Sequence, residues 1–149
     1  MRATETLHRF DDRNITWRKL GDFEGFVASI LYVDEPANVA EFIVKFDPNT
    51  SSMIHRHLAA THTFVIDGDH IIYEIDGRLR ESRPVGRYTF TAPDGDSHTE
   101  GGGTAGCTLL YSIRGTSDAL FDLLDEQGKT IATLRTGDFK AALDAQKQN

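Results

Sequence analysis

Residues 54–68 read IHRHLAATHTFVIDG, and this stretch contains His55, His57 and His62, half of the six histidines in the chain. Successive side chains of a β-strand point to opposite faces, so His55 and His57 would point the same way if IHRH is a strand. Two imidazoles that converge from one strand supply half of a typical metal site. A His-x-His pattern is common, and two exposed polar positions on an edge strand are the alternative interpretation.

A second signal lies at residues 92–98, APDGDSH, directly after the strand-like stretch RYTFT. Pro93 restricts one backbone angle and Gly95 tolerates a positive one, which predicts a tight turn that places His98 at a defined position. A turn that delivers a histidine downstream of a His-x-His strand is a stronger pattern than either feature alone.

Most of the chain predicts short strands, because stretches rich in β-branched and aromatic residues alternate with turn signals such as DPNTS, APDGD and DEQGK. The ten candidate strands are ITWRKL, GFVASILYV, VAEFIVKF, SMIHRH, HTFVI, HIIYEI, RYTFTA, CTLLYSI, ALFDLLD and TIATLR. Only the last segment, residues 136–147, has helical character, with Thr136 or Asp138 as its cap. The sequence therefore predicts an all-β sandwich or barrel with a short C-terminal helix.

Size and charge narrow the classes of function. The 149 residues fit one domain, and the net charge of -7 disfavours nucleic acid and anionic membranes as partners. No apolar run is long enough to span a bilayer. The single cysteine, Cys107, lies in an apolar strand-like run and is expected to be a buried side chain rather than a nucleophile. A reducing, cytoplasmic location is expected.

The stretches PNTSSMIHRH, FVIDG and APDGDSH resemble the two motifs of the cupin superfamily, which consists of small β-barrels with one internal metal. This resemblance implies one cupin domain over residues 1–149, with N-terminal strands in 1–47, a metal-binding jelly-roll barrel in 48–134 and a helix in 136–147. Three features of the two motifs depart from the family pattern. Asn49 replaces a motif glycine, six residues instead of five separate Gly86 from Pro93, and Gly102 stands where the second motif ends in Asn.

The stretches ITWRKL, FDPNTSSMIHRH and FDLLDEQGKTIATL are similar to acetylacetone-cleaving dioxygenases, and THTFVIDGDHIIYE is similar to 2,4′-dihydroxyacetophenone dioxygenases. Both groups use Fe(II) and O2 to split a carbon–carbon bond beside a ketone. The resemblance implies His55, His57 and His98 as metal ligands, a small carbonyl compound and O2 as substrates, and a homodimer as the assembly.

The fourth ligand is open. Cupins usually place a glutamate where this chain has Thr61, a poor ligand. If Asp67 and Gly68 form a two-residue hairpin, Glu74 would face the interior as a ligand or a catalytic acid. His62 would lie outside in that register, but a shift of one residue would exchange the two faces and make it a ligand. His70 is expected to be a hydrogen-bonded interior histidine.

Three imidazoles, with or without a carboxylate, suit Fe(II), Zn(II), Ni(II), Mn(II) or Cu(II), and the resemblance favours Fe(II). The main hypothesis is a dioxygenase that cleaves a carbon–carbon bond next to a carbonyl in a β-diketone or a hydroxyacetophenone-like substrate. The alternatives are a non-oxidative isomerase or hydrolase with zinc or manganese, a sensor of metal or small molecules, and a cupin with a vestigial site.

Overall fold

The computed structural model describes residues 9–148, which form nine β-strands and one α-helix. Residues 1–8 and 149 of the predicted domain lie outside this range. The elements are β1 (Phe26–Asp34), β2 (Val39–Phe46), β3 (His55–His57), β4 (Ala60–Tyr73), β5 (Leu79–Arg83), β6 (Tyr88–Thr91), β7 (Thr99–Arg114), β8 (Ala119–Leu124), β9 (Thr130–Arg135) and α1 (Thr136–Lys147). The predicted all-β fold with a short C-terminal helix is confirmed.

The strands form two antiparallel sheets. The larger has the order β1-β2-β7-β4-β5, with β6 also paired to β4, and the smaller has the order β3-β8-β9. The apolar core includes aromatic and aliphatic side chains of β2, β7, β8 and α1. Its most deeply buried members include Leu109, Ile113, Leu120 and Phe139. A double-sheet arrangement of this kind is that of a jelly-roll barrel.

The C-terminal helix covers the core and one edge of the larger sheet. Phe139 and Leu143 are one helical turn apart and both are buried, and the ring of Phe139 stacks on Phe42 with centroids 4.9 Å apart. At the edge strand β1, the side-chain amide of Gln146 accepts from Ile30 N at 2.7 Å and donates to Ile30 O at 3.0 Å. The helix thus satisfies backbone groups that an edge strand leaves unpaired.

The predicted hairpin at Asp67 and Gly68 is wrong. Residues 60–73 form one continuous strand of 14 residues, which is irregular where it pairs with β7 around residues 65–70. Gly68 has a positive φ of 73° and lies so close to Gly106 O that a Cβ built there would be 2.1 Å from it. The aspartate–glycine pair therefore forms a bulge rather than a turn, because glycine serves both purposes.

The predicted first strand, ITWRKL, is also wrong. Within it, Arg18 makes one isolated bridge to Ala28 of β1, with hydrogen bonds of 2.9 and 2.8 Å.

Asn49, which replaces a motif glycine, has a positive φ of 55°, as its tolerance of left-handed geometry allows. In residues 9–148 no helix is long and apolar enough to span a membrane.

Candidate metal centre

Backbone hydrogen bonds fix the positions of the three predicted ligand histidines. His55 and His57 lie on β3, where pairing with β8 places both inside and leaves Arg56 outside in contact with Asp122. His55 and His98 exchange two backbone hydrogen bonds of 3.0 Å each. Asp94 N donates to His57 O at 2.8 Å, so the 93–98 turn is held against β3 at both of its ends.

The three imidazoles meet inside the barrel. All three residues are buried, and the ring centroids are 5.3 Å apart for His55 and His57, 4.5 Å for His55 and His98, and 5.1 Å for His57 and His98. One ring nitrogen of each lies within 4.8 Å of the other two. Nitrogen ligands that share one ion, with bonds of about 2.1 Å, lie about 3–4 Å apart, so a small adjustment of the rings would suffice to hold a metal.

The other ring nitrogens are occupied by the protein. His55 Nδ1 donates to Met53 O at 3.0 Å. His57 Nδ1 lies 2.9 Å from Thr61 Oγ1, and that hydroxyl donates its one hydrogen to Ala59 O, so His57 Nδ1 must be the donor. These contacts leave the Nε2 lone pairs of His55 and His57 free for a metal. Thr61, at the position of the usual cupin glutamate, thus orients one of the three clustered imidazoles.

Burial keeps two of the three imidazoles uncharged. Desolvation, followed by the charge of the nearby His55, lowers the pKa of His57 to about 3. The same two causes lower the pKa of His98 to about 4, although its hydrogen bond to the backbone of Asp96 opposes the shift. Both imidazoles are therefore neutral at neutral pH, which is the form that binds metal. The donor set fits a divalent transition metal.

A buried carboxylate that the sequence analysis missed lies beside the histidines. Glu100 Oε1 is 3.9 Å from His55 Nε2 and accepts from the Tyr111 hydroxyl, and Oε2 is 3.0 Å from His70 Nε2. Burial alone would raise the pKa of Glu100, but the hydrogen bond and charge of His70 hold it well below its usual value. The spacing of two residues between His98 and Glu100, as between His55 and His57, could have predicted this carboxylate.

The other predicted site residues lie elsewhere. Glu74 follows the end of β4, and Arg80 binds its carboxylate at 2.8 and 2.7 Å. It is not among the residues whose ligand atoms cluster with those of the three histidines, and Arg80 engages both of its carboxylate oxygens. His62 lies on the outer face of β4 beside Tyr88 and Phe90, as the predicted register had it. His70 is fully buried and bonded to Glu100, as expected.

Two cavities flank the histidines and share Glu100 and Tyr111 as a wall. The first, here called the apolar cavity, has a volume of about 80 Å³. Its lining includes Phe26, Phe42, Phe46, Phe121, Phe139 and His55. The second, here called the polar cavity, has a volume of about 90 Å³. Its lining includes His57, His98, Thr63, His70, Arg80 and Arg83. The candidate metal centre therefore lies between an apolar and a polar compartment.

A family model described as the ChrR cupin-like domain matches residues 6–115, which is more than half of the 149-residue chain. The chain belongs to the ChrR cupin-like family. No curated protein matches the sequence of this cupin significantly. The predicted membership of the cupin superfamily is confirmed.

Solved structures resemble this cupin over nearly its whole length. A Ralstonia eutropha protein of unknown function with a cupin-like fold is 18% identical, with a TM-score of 0.75 over 99% of this chain and 89% of that one. An acetylacetone dioxygenase from Acinetobacter johnsonii is 16% identical, with a TM-score of 0.68 over 98% of this chain and 95% of that one. At such identities the likeness shows the fold alone.

Proposed function

We propose that this cupin is a mononuclear dioxygenase that uses Fe(II) and O2 to cleave a carbon–carbon bond next to a carbonyl. Its substrate would be a β-diketone or a hydroxyacetophenone-like compound. The observation that carries the proposal is the convergence of three buried imidazoles between an apolar and a polar cavity. The similarity to an acetylacetone dioxygenase over 98% of the chain supports it.

His55, His57 and His98 would hold the metal, and Met53 O and Thr61 Oγ1 would keep two of the rings oriented. Bound Fe(II) would act as a Lewis acid toward the carbonyl oxygens and would supply the chemistry of O2. Because all three protein ligands are neutral, the centre would keep a positive charge, which favours the enolate of a dicarbonyl over its neutral form.

The residues around the metal centre would control charge and water. Glu100 places a negative charge beside His55, and it is kept ionised by His70. Burial and the charge of Glu100 raise the pKa of Tyr111 well above its usual value, so its hydroxyl stays protonated. This hydroxyl donates a hydrogen bond to Glu100 Oε1. The phenylalanines of the apolar cavity would exclude water from the reacting carbons.

The first test is O2 uptake by Fe(II)-loaded protein with acetylacetone-type diketones and hydroxyacetophenones. We expect uptake that depends on substrate and is lost in His57→Ala. His62→Ala is the matched control, because His62 is a histidine of the outer face, and it should retain the activity. No uptake with these compounds or with a diketone that carries a carboxylate, from protein that holds one iron per chain, would contradict the proposal. It would favour the second candidate, a non-oxidative zinc or manganese enzyme or a sensor, which the same donors would suit. The homodimer and the cytoplasmic location stay predictions.

A further inference from the structure

Arg83 faces the polar cavity from the last position of β5. It pairs across the sheet with His70, which is fully buried, and paired residues of antiparallel strands point to the same side. Only 15% of the Arg83 side chain is exposed. Arginine almost never lies this deep unless its donors have acceptors, so the contacts of this guanidinium group indicate what the cavity accommodates.

The guanidinium group has hydrogen-bond capacity left over. Its Nη2 lies 3.1 Å from Glu81 Oε2, and its Nη1 donates to Thr89 Oγ1 over a long 3.4 Å. Its Nε is buried and has no hydrogen-bond partner among the described residues. Because a guanidinium group carries five N–H donors, these two contacts leave several of them without an acceptor. A buried donor without a partner is unfavourable, so an acceptor is expected in the cavity.

The other charged side chains of the polar cavity are already engaged. Arg80 donates twice to Glu74, at 2.8 and 2.7 Å, and also contacts Asp96 at 2.9 Å. Glu100 is held by His70 and Tyr111. Arg83 is therefore the lining cation whose donors remain available, and planar arginine matches the two oxygens of a carboxylate better than any other side chain.

The metal centre opens on the same cavity, since His57 and His98 line it together with Arg83. The lining of this compartment thus offers two kinds of chemistry. The histidines would bind carbonyl oxygens through a metal, and Arg83 offers unpaired N–H donors to an anion. The positive charge of Arg83 is also close enough to His57 to help lower the pKa of that imidazole.

We propose that Arg83 binds a carboxylate group of the substrate, so that the substrate class is a small β-dicarbonyl acid rather than a neutral β-diketone. The carbonyl oxygens would lie at the three histidines while the carboxylate lies at Arg83. This assignment rests on the proposed function, because it places the dicarbonyl at the metal. A volume of about 90 Å³ restricts the compound to a short chain.

The test compares two probes that differ in the carboxylate, 2,4-dioxopentanoate and acetylacetone. Their dissociation constants are measured by calorimetry on Zn(II)-loaded protein, which does not turn over with O2. Wild-type protein should bind the acid at least tenfold more tightly. Arg83→Gln should weaken binding of the acid about 10- to 100-fold, as expected for a lost charged hydrogen bond, and leave acetylacetone within about threefold.

Two further variants keep the test decisive. Arg83→Lys retains the charge but not the planar donors, so its affinity for the acid should fall between those of wild type and Arg83→Gln. Arg78→Gln, at an exposed arginine paired with Asp76, should match wild type for both probes. If Arg83→Gln does not fold by circular dichroism, Arg83→Lys alone decides, and an unchanged preference for the acid overturns the proposal.

The outcomes also distinguish a failure of this proposal from a failure of the proposed dioxygenase activity. Equal binding of the two probes by wild-type protein would overturn the role of Arg83, even if acetylacetone supports O2 uptake. Tighter binding of the acid that depends on Arg83 would support the assignment, even if Fe(II)-loaded protein consumes no O2 with either probe. In that second case the proposed class of ligand would be supported and the proposed dioxygenase activity would be contradicted.

Discussion

The apolar and polar cavities have similar volumes, about 80 and 90 Å³, and share the wall formed by Glu100 and Tyr111, yet they differ in nearly everything else. The lining of the apolar cavity includes residues of β2, β7 and β8, whose aromatic side chains also belong to the core. The polar cavity is built mainly by β4, β5, β6 and the 93–98 turn. The comparison indicates that one half of the barrel provides stability while the other provides chemistry, so substitutions in the two halves should have separable effects.

The largest effect is expected on the apolar side. Phe42→Ala removes a ring that stacks on both Tyr111 and Phe139 at 4.9 Å, and it should lower the free energy of unfolding by about 3–5 kcal/mol. Urea unfolding measures this change. Phe64→Ala is the control, because Phe64 is 43% exposed and its loss should change stability by less than about 1 kcal/mol. If the folded Phe42 variant bound metal much more weakly, the two halves would not be separable.

A smaller effect is expected at the shared wall. Glu100→Gln keeps the shape of the side chain but removes the charge that Tyr111 and His70 both contact. It should lower the free energy of unfolding by about 1–3 kcal/mol and also weaken metal binding, because a negative charge beside His55 is lost. Glu74→Gln is the matched control and should leave the affinity for metal unchanged. An equal loss of metal affinity in the two variants would instead support the prediction that Glu74 is a ligand. Competition titration with a chelator measures the affinities.

On the polar side, Thr61→Val should weaken metal binding about tenfold, or about 1.4 kcal/mol, with little change in the fold. The substitution keeps the volume but removes the oxygen that accepts from His57 Nδ1, so the imidazole loses its orientation. Thr63→Val is the control on the same face of β4, since the Thr63 hydroxyl contacts Thr89 and not a ligand histidine. An equal effect of both substitutions would indicate a general packing defect.

The smallest effect is the change in stability of the metal-free protein between pH 7.5 and pH 6.5. In the folded state the pKa values of His57 and His98 are about 3 and about 4, whereas the ordinary pKa of histidine is 6.5. As the pH falls through 6.5, these two histidines therefore take up protons in the unfolded chain before they do so in the folded one. Stability should therefore decrease with falling pH. Between pH 7.5 and 6.5 the loss should be about 0.4 kcal/mol per histidine. Urea unfolding at several pH values measures the free energy of unfolding of wild type and of the double variant His57→Asn/His98→Asn. This free energy should depend less steeply on pH in the variant.

The sequence predicted those features that depend on side-chain alternation within one strand or on one turn. His55 and His57 share a face because β3 is regular, and the turn before His98 delivers the third imidazole. Alternation also placed Thr61 inside and His62 outside correctly, although the hairpin invoked for it does not exist. The bulges of β4 change the face of the following residues just as a two-residue turn would have done.

The failures concern features that depend on pairing between distant strands. The dipeptide Asp67-Gly68 favours a turn but is also compatible with a bulge, which the structure forms where Gly68 approaches Gly106 of β7. Glu74 was assigned to the site because the end of β4 cannot be read from composition. Arg83 reaches the polar cavity only through the register of β5 against β4, which no local pattern in the sequence specifies.

The amide of Gln146 has a consequence for the behaviour of the protein in concentrated solution. By bonding to both the N–H and the C=O of Ile30, it takes the place that a backbone peptide of an incoming strand would occupy. The last turn of α1 thus blocks the addition of another strand to β1 at Ile30. Clipping of the chain just before Gln146 would expose the N–H and C=O of Ile30, and the isolated bridge between Arg18 and Ala28 would then protect this edge of the sheet without the helix.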